Sequence, residues 1–504
     1  MKKFELPEKP LKYQNLINGA WVDAADGKTY TRESPAHGSI IGEYPLSSSR
    51  DTEDAIKAAR SAFQKETWTL MPGVERAKII NRAAAGIRER AEELALIETL
   101  ESGKPISQAL DEMEWAAGIW DYAATLCRHQ YGDANNNLGS DMLAFMYRQP
   151  IGVVGMITPW NFPLLIISQK LPFALAAGCT AVVKPSELTP GTTLKLGEIL
   201  QEAGIPDGAV NILAGFGDPV GKTLSESMYV DMISFTGSTM VGKQIVAASQ
   251  HNLKKVSLEL GGKNPQIIFP DADMDAVVDS VVFGVYFNMG ECCNSGSRLL
   301  IHEDVADDFL QKVLDHACKV KVGDPLDPEV KVGAIINDKQ LDKILEYIES
   351  GKKQGAELKL GGELMKSSKG VYFQPTVFSE VRPDMDIAKE EIFGPVLSII
   401  RFRDTEEAVK IANSTIYGLS ASIWTRDLDT ALIMSRKIEA GTVWVNNFMT
   451  GYPEVSFGGF RQSGLGRELG RFSVEEFSEL KSVLIHTGPP GGPWVNPDAP
   501  SECD

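Results

Sequence analysis

The chain has 504 residues, 43% of them hydrophobic and 23% charged, with a formal net charge of −18 at pH 7. This length predicts roughly two to three domains of an ordinary globular protein with a sizeable core. The acidic balance disfavours nucleic acid and anionic membrane surfaces as partners, and the start has no apolar signal region, so the cytoplasm is the default location.

In chain order, Leu16–Trp21 and Ser39–Tyr44 read together as an edge hairpin, and residues 48–65 and 74–102 as two helices. A helical pattern resumes from Ile106 to about Arg128, the stretch 132–140 is rich in turn residues, and Met142–Gln149 reads as a strand. Strands then alternate with helical stretches through Val153–Ile157, Thr180–Lys184, Val210–Ala214, Met232–Phe235 and Lys254–Leu260. That alternation predicts a mainly parallel, doubly wound sheet with its ligand outside the carboxyl ends of the strands. A second series, Pro265–Phe269, Arg298–Ile301, Gly333–Ile336, Thr376–Phe378, Leu397–Phe402 and Thr442–Asn446, predicts a second α/β domain. The tail from residue 491 to residue 504 is rich in Pro and Gly and reads as irregular.

Six cysteines are too few for a disulfide framework at this length, and six scattered histidines show no zinc-site spacing, so no metal is expected. Cys292 and Cys293 form an adjacent pair in Phe287–Arg298, FNMGECCNSGSR, between an apolar helix and a short strand. Such a pair is ordinarily two small buried hydrophobes, yet a loop on rigid supports is also where a nucleophile is placed. Upstream, Val256, Leu258 and Leu260 alternate with Ser257 and Glu259 before Gly261-Gly262, which puts the Glu259 carboxylate at a strand end with apolar neighbours, where it suits a general base.

LELGGK followed by F-N-x-G-x-x-C-x-x-G-x-R resembles the NAD(P)-dependent aldehyde dehydrogenase family. Further matches occur in order at ITPWNFP (157–163), VVKPSE (182–187), SFTGST (234–239), EEIFGPV (390–396) and FGGFRQSGLGRELG (457–470). The resemblance implies a Rossmann-like cofactor domain over 1–127 and 150–260 and a second α/β catalytic domain over 261–460. It adds a small β oligomerisation element from 128–149 and 478–490, and hence a homodimer or homotetramer. It places the nucleophile on Cys293, the base on Glu259, the oxyanion amide on Asn161 and a proton-relay pair on Lys170 and Glu468. Its cofactor site falls on Ile157, Trp160, Lys184, Glu187, Gly217, Gly221, Phe235, Gly237, Ser238, Leu260, Glu391 and Phe393. Glu187 near the adenine ribose implies NAD in preference to NADP, since a carboxylate accepts from a 2′-hydroxyl and repels a 2′-phosphate.

The chemistry is consistent with those residue types. A thiolate adds to an aldehyde carbonyl, the resulting oxyanion needs donors such as Asn161 and the Cys293 backbone N–H, and the thioester left after hydride loss needs an activated water. Glu291 departs from the family's usual Gln. A carboxylate facing the thiolate would raise its pKa, so the side chain is expected to point away. Gln169 and Ser456-Phe457 also depart, with fewer aromatics than a quaternary-ammonium box requires, although Trp160, Phe162, Tyr452 and Phe457 remain available. A polar aliphatic aldehyde is the resulting expectation, with betaine aldehyde or an aminoaldehyde as the alternative. A thioesterase-like hydrolase would use the same Cys and Glu without the cofactor residues; a crystallin-like structural protein would be expected to lack a catalytic one.

Overall fold

The computed structural model of the protein describes residues 4–365, 370–489, 491, 494, 495 and 498. Five parallel strands, in the spatial order Lys255–Glu259, Met232–Thr236, Val153–Ile157, Thr180–Lys184 and Val210–Ile212, form the centre of an eight-stranded sheet. Strands covered on both faces must be apolar throughout, and Val153, Val154, Met156, Val182 and Ile233 have no exposed surface. The hairpin of Asn15–Ile17 and Ala20–Val22 closes one edge and Gly464–Leu465 the other, all antiparallel. Strand order reverses at Val153–Ile157, which opens a crevice beyond its carboxyl end.

The second sheet has seven strands, ordered Glu357–Leu360, Thr376–Ser379, Val396–Phe402, Arg298–His302, Pro265–Ile268, Ser420–Trp424 and Thr442–Val445. All its pairings are parallel except the first. Its core is separate from that of the first sheet. A three-stranded antiparallel sheet of Ser478–His486, Met142–Pro150 and Asp133–Asn135 stands apart from both, with Leu143, Leu480 and Leu484 exposed. The whole is an α/β architecture built around a doubly wound parallel sheet.

Several elements differ from the sequence reading. Ser39–Tyr44 does not join the edge hairpin; Ile40–Pro45 pairs instead with Thr29–Glu33 and Leu11–Lys12 in a small sheet of its own. The helix expected over 74–102 is two helices, Gly73–Glu89 and Ala91–Ser102, because Arg90 at φ −105°, ψ 15° leaves helical geometry while the apolar spacing continues on either side. The turn-rich stretch contains the strand Asp133–Asn135, held by its neighbour rather than by its own exposed side chains. Gly333–Ile336 is not a strand. Its N–H groups are dispersed: Ala334 donates to Gly103, Ile335 to Val371, and Ile336 to the Glu291 side chain. Most of the expected irregular tail, Cys503 included, lies outside the described residues. Among the described residues no helix is long and apolar enough to cross a membrane, and no group of three or more His, Cys, Asp or Glu is placed to hold a metal.

Candidate active site

The helix Met274–Tyr286 starts at Asp273, whose carboxylate accepts the Ala276 N–H at 3.4 Å, and points its C-terminus at the cysteine loop. The chain then turns through Asn288 and Met289 at φ 49° and 58°, followed by Gly290 at 71°. Left-handed geometry at a non-glycine costs on the order of 1 kcal/mol or more, so this turn persists only because its surroundings fix it. One fixture is Asn264, which donates to the carbonyls of Cys293 at 2.7 Å and Ser295 at 3.0 Å. Gly262 is another: a Cβ there would lie 2.6 Å from the Cys293 carbonyl oxygen, so only glycine lets the two loops approach.

The two cysteines differ in burial, although both border the same apolar cavity. Cys292 is buried in the core of the first sheet, whereas Cys293 is half-buried. Cys293 lines two cavities at once. The larger, about 360 Å³, is walled largely by apolar side chains, among them Phe162, Phe287, Trp444, Met449, Tyr452 and Phe457, and also by Glu259 and Gln169. The smaller, about 190 Å³, is lined by Trp160, Asn161, Gly237, Ser238, Leu260, Glu391 and Phe393. Thr236 and Ile166 are shared by both.

Asn161 follows the strand Val153–Ile157, and its side-chain amide donates to the Glu291 carbonyl at 3.0 Å. An amide NH₂ has two donors, so one is left for a developing oxyanion beside Cys293. Glu259 ends its strand opposite Thr236 and Gly464. Neither of its oxygens has a partner among the described residues, and burial together with Glu468 raises its carboxyl well above the usual range, against the pull of Lys170 and Arg467. Behind it, lining neither cavity, Lys170 and Glu468 form a fully buried ion pair, with Ser234 Oγ 3.2 Å from the Lys170 ammonium. The Cys293 thiol is pushed up by the adjacent Cys292 thiol, then by burial, and by the carboxylates of Glu391 and Glu259.

The remaining predicted cofactor residues group along the crevice and the smaller cavity. Ile157 pairs in register with Lys184 on one side and Phe235 on the other. A Cβ on Gly221 would lie 3.6 Å from the Lys184 side chain and 3.7 Å from Ile157, while Gly217 has open space around it. The Lys184 ammonium is 3.6 Å from Glu187 and donates to the Pro185 carbonyl at 2.8 Å, and burial lowers its pKa. Ser238 caps the helix Thr239–Ser249. In the smaller cavity Glu391 accepts the Gly262 N–H at 3.0 Å, and Phe393 meets Trp160 edge-on at 5.4 Å between ring centres. Trp160 therefore stands on the Phe393 side of Cys293; of the four aromatics proposed for a cation box, only Phe162, Tyr452 and Phe457 line the larger cavity. The Glu291 carboxyl points away from the thiol, to the Ile336 N–H at 3.2 Å.

Sequence reasoning gave no role to Asn264, Asn288 or Gln340. Asn288 donates to the carbonyls of Asn161 and Glu291, and Gln340 to that of Phe393 at 2.7 Å. Each is a lone amide whose partner is distant in sequence or purely backbone, so no pattern signals it; the N that closes LELGGKN was the nearest clue.

The model described as the aldehyde dehydrogenase family matches residues 21–483. Retinaldehyde dehydrogenase 3 of Homo sapiens is 44% identical over 94% of this chain and 93% of its own length. A solved NAD-dependent aldehyde dehydrogenase from Sinorhizobium meliloti is 49% identical with a TM-score of 0.95, covering 96% of each chain. A betaine aldehyde dehydrogenase from Staphylococcus aureus, solved in complex with NAD+, is 36% identical with a TM-score of 0.94, covering 96% of this chain and 97% of its own. A match that spans both sheets and the loop carrying Cys293 leaves one assignment: the chain belongs to the aldehyde dehydrogenase family.

Proposed function

We propose that the protein oxidises an aldehyde to the carboxylic acid with NAD and water, through Cys293, and that its preferred aldehyde carries an apolar substituent of ring size or longer. The observation that carries this is the position of Cys293 between two cavities, one apolar and the other leading to the crevice of the parallel sheet. The crevice fits a dinucleotide. Its glycines keep the backbone open, the Thr239–Ser249 helix presents its N-terminus, and Lys184, Glu187 and Glu391 offer partners for two riboses.

Once deprotonated, Cys293 Sγ adds to the aldehyde carbon, and Asn161 donates to the oxyanion. NAD, when bound, supplies the hydride acceptor that leaves a thioester on Cys293. Glu259 then takes a proton from the water that attacks the thioester carbon; the C–S bond breaks, releasing the acid and the sulfur. Lys170 and Glu468 hold the charge balance behind Glu259 and can pass its proton on. The exposed Leu143, Leu480 and Leu484 of the small sheet suit pairing with a second copy of the chain.

The larger cavity favours an apolar aldehyde over the polar aliphatic one expected from sequence, because its walls are largely aromatic and aliphatic and Glu114, which also lines it, is held by Arg88 at 2.9 Å. Betaine aldehyde is the second reading, supported by the rings of Phe162, Trp444, Tyr452 and Phe457 on one cavity. NADH formation from a panel of arylacetaldehydes, medium-chain alkanals, betaine aldehyde and short hydroxyaldehydes tests both. Apolar members are expected to exceed short polar ones in kcat/KM by about 10-fold or more. No NAD binding, with turnover of a thioester, would return the hydrolase reading, and no turnover of aldehyde or thioester the structural one.

A further inference from the structure

We infer that Glu291 is a positioning residue for Asn161 and Cys293: its side chain fastens the reactive turn to the peptide of Ile336. This rests on the catalytic reading above and concerns a side chain that lines neither cavity. Glu291 is completely buried, immediately before the cysteine pair. Its backbone carbonyl is the anchor of the site, because Asn161 Nδ2 and Asn288 Nδ2 both donate to it at 3.0 Å, and Asn288 Nδ2 also donates to the Asn161 carbonyl at 3.2 Å. Where that carbonyl sits depends on where residue 291 is tied down.

The tie is one hydrogen bond, from the Ile336 N–H to Glu291 Oε1 at 3.2 Å; Oε2 has no partner among the described residues. The other side of the Ile336 residue is clamped as well. Arg32 donates to the Ile336 carbonyl at 3.1 Å, to the Glu101 carbonyl at 2.9 Å and, through Nε, to the Leu188 carbonyl at 2.9 Å. Leu188 directly follows the Lys184–Glu187 turn at the crevice. One guanidinium and one carboxyl group thus join the turn holding Asn161 and Cys293 to the turn beneath the cofactor crevice. The left-handed Asn288 and Met289 need such an external hold.

The role is one of shape. Burial keeps the Glu291 carboxyl neutral well above the usual range, with the Ile336 N–H and the positive charges of Lys104 and Arg32 opposing. A neutral glutamic acid has the outline and acceptor of glutamine, so Glu291→Gln preserves the tie. Glu291→Met fills the same volume without a comparable acceptor, and Glu291→Ala removes both.

The test compares these three variants of the full chain in kcat, KM for aldehyde and NAD, and amide hydrogen exchange of the segment containing Ile336. Glu291→Met is expected to lose about 10- to 100-fold in kcat, as an ångström of misplacement does, with both KM values nearly unchanged. Exchange at 333–337 should quicken in the same variant, and Glu291→Gln should restore both readings. If Glu291→Ala fails to fold, Glu291→Met still decides. Wild-type kcat in Glu291→Met, or equal failure of Gln and Met variants, overturns the inference. If the wild type itself forms no NADH, the catalytic reading has failed, and unchanged exchange at 333–337 in Glu291→Met would separately remove the tie.

Discussion

The side-chain amide of Asn264 donates to the carbonyl oxygen of Cys293 at 2.7 Å, while its own oxygen accepts the Ser420 N–H at 3.1 Å. Asn264 directly precedes the strand Pro265–Ile268, so the nucleophile's peptide is held by the sheet itself. Asn264→Ala is expected to lower kcat by about 100-fold, from lost positioning. It should also lose about 1–3 kcal/mol in chemical unfolding, because the Ser420 N–H is left unpaired. A wild-type kcat in a destabilised variant would show that the cysteine loop holds its own shape.

Cys293→Ala should abolish NADH formation, whereas Cys292→Ala should keep most of it. Cys292 is the largest influence raising the Cys293 thiol, so its removal lets the thiol ionise at lower pH. The rising limb of kcat/KM against pH should therefore move down in Cys292→Ala, with about 1 kcal/mol of stability lost from the core. A dead Cys292→Ala beside an active Cys293→Ala would reverse the assignment of the two thiols.

Glu259→Gln separates the two halves of the reaction. Rapid-mixing measurements should show a burst of at most about one NADH per site, then near-arrest as acyl-enzyme accumulates, detectable as added mass on the intact protein. In the wild type the raised Glu259 carboxyl must lose its proton to act as base, so steady-state turnover should climb with pH beyond the ordinary carboxylate range. Full turnover by the Gln variant would place water activation elsewhere.

Glu187 is partly exposed beside Lys184, and the proposed cofactor site gives it the adenine ribose. NAD should be preferred to NADP in kcat/KM, and Glu187→Gln should narrow the ratio by about 10-fold through loss of charge repulsion. A wild type that prefers NADP would remove the proposed role of this carboxylate.

Glu101 makes stability depend on pH. Its carboxyl accepts the Gly191 N–H at 3.1 Å and the Tyr44 hydroxyl, and burial raises it to about 8. The folded state holds this proton more tightly than the unfolded chain. The associated stability is full below the usual carboxylate range and is lost as pH rises towards about 8. Glu101→Gln keeps the acceptor and cannot ionise, so its melting temperature should fall less than that of the wild type over this interval. Parallel pH profiles would dismiss the effect.

The parallel strands were readable because burial on both faces leaves unbroken apolar runs that stop at Gly and Pro, and the motifs lie at those stops. Arg90 was not, since apolar spacing passes through it and only its backbone angles break the helix. Gly333–Ile336 has strand-like residues, but its N–H groups are claimed by three separate segments, a fact of tertiary structure alone. That the cysteine loop and Glu259 would meet at one cavity was legible; which cavity Trp160 lines was not, because adjacency to Asn161 says nothing about the direction of a ring.

Cys293 borders both cavities, so in the proposed reaction its sulfur serves the two together. An alkyl group fixed to that atom would obstruct aldehyde and nucleotide alike, and neither ligand in excess would displace it. A reversible inhibitor lodged against Trp444 would instead compete with aldehyde alone and leave the nucleotide free to bind. Inhibitor kinetics can thus report which compartment a compound occupies before any complex is crystallised.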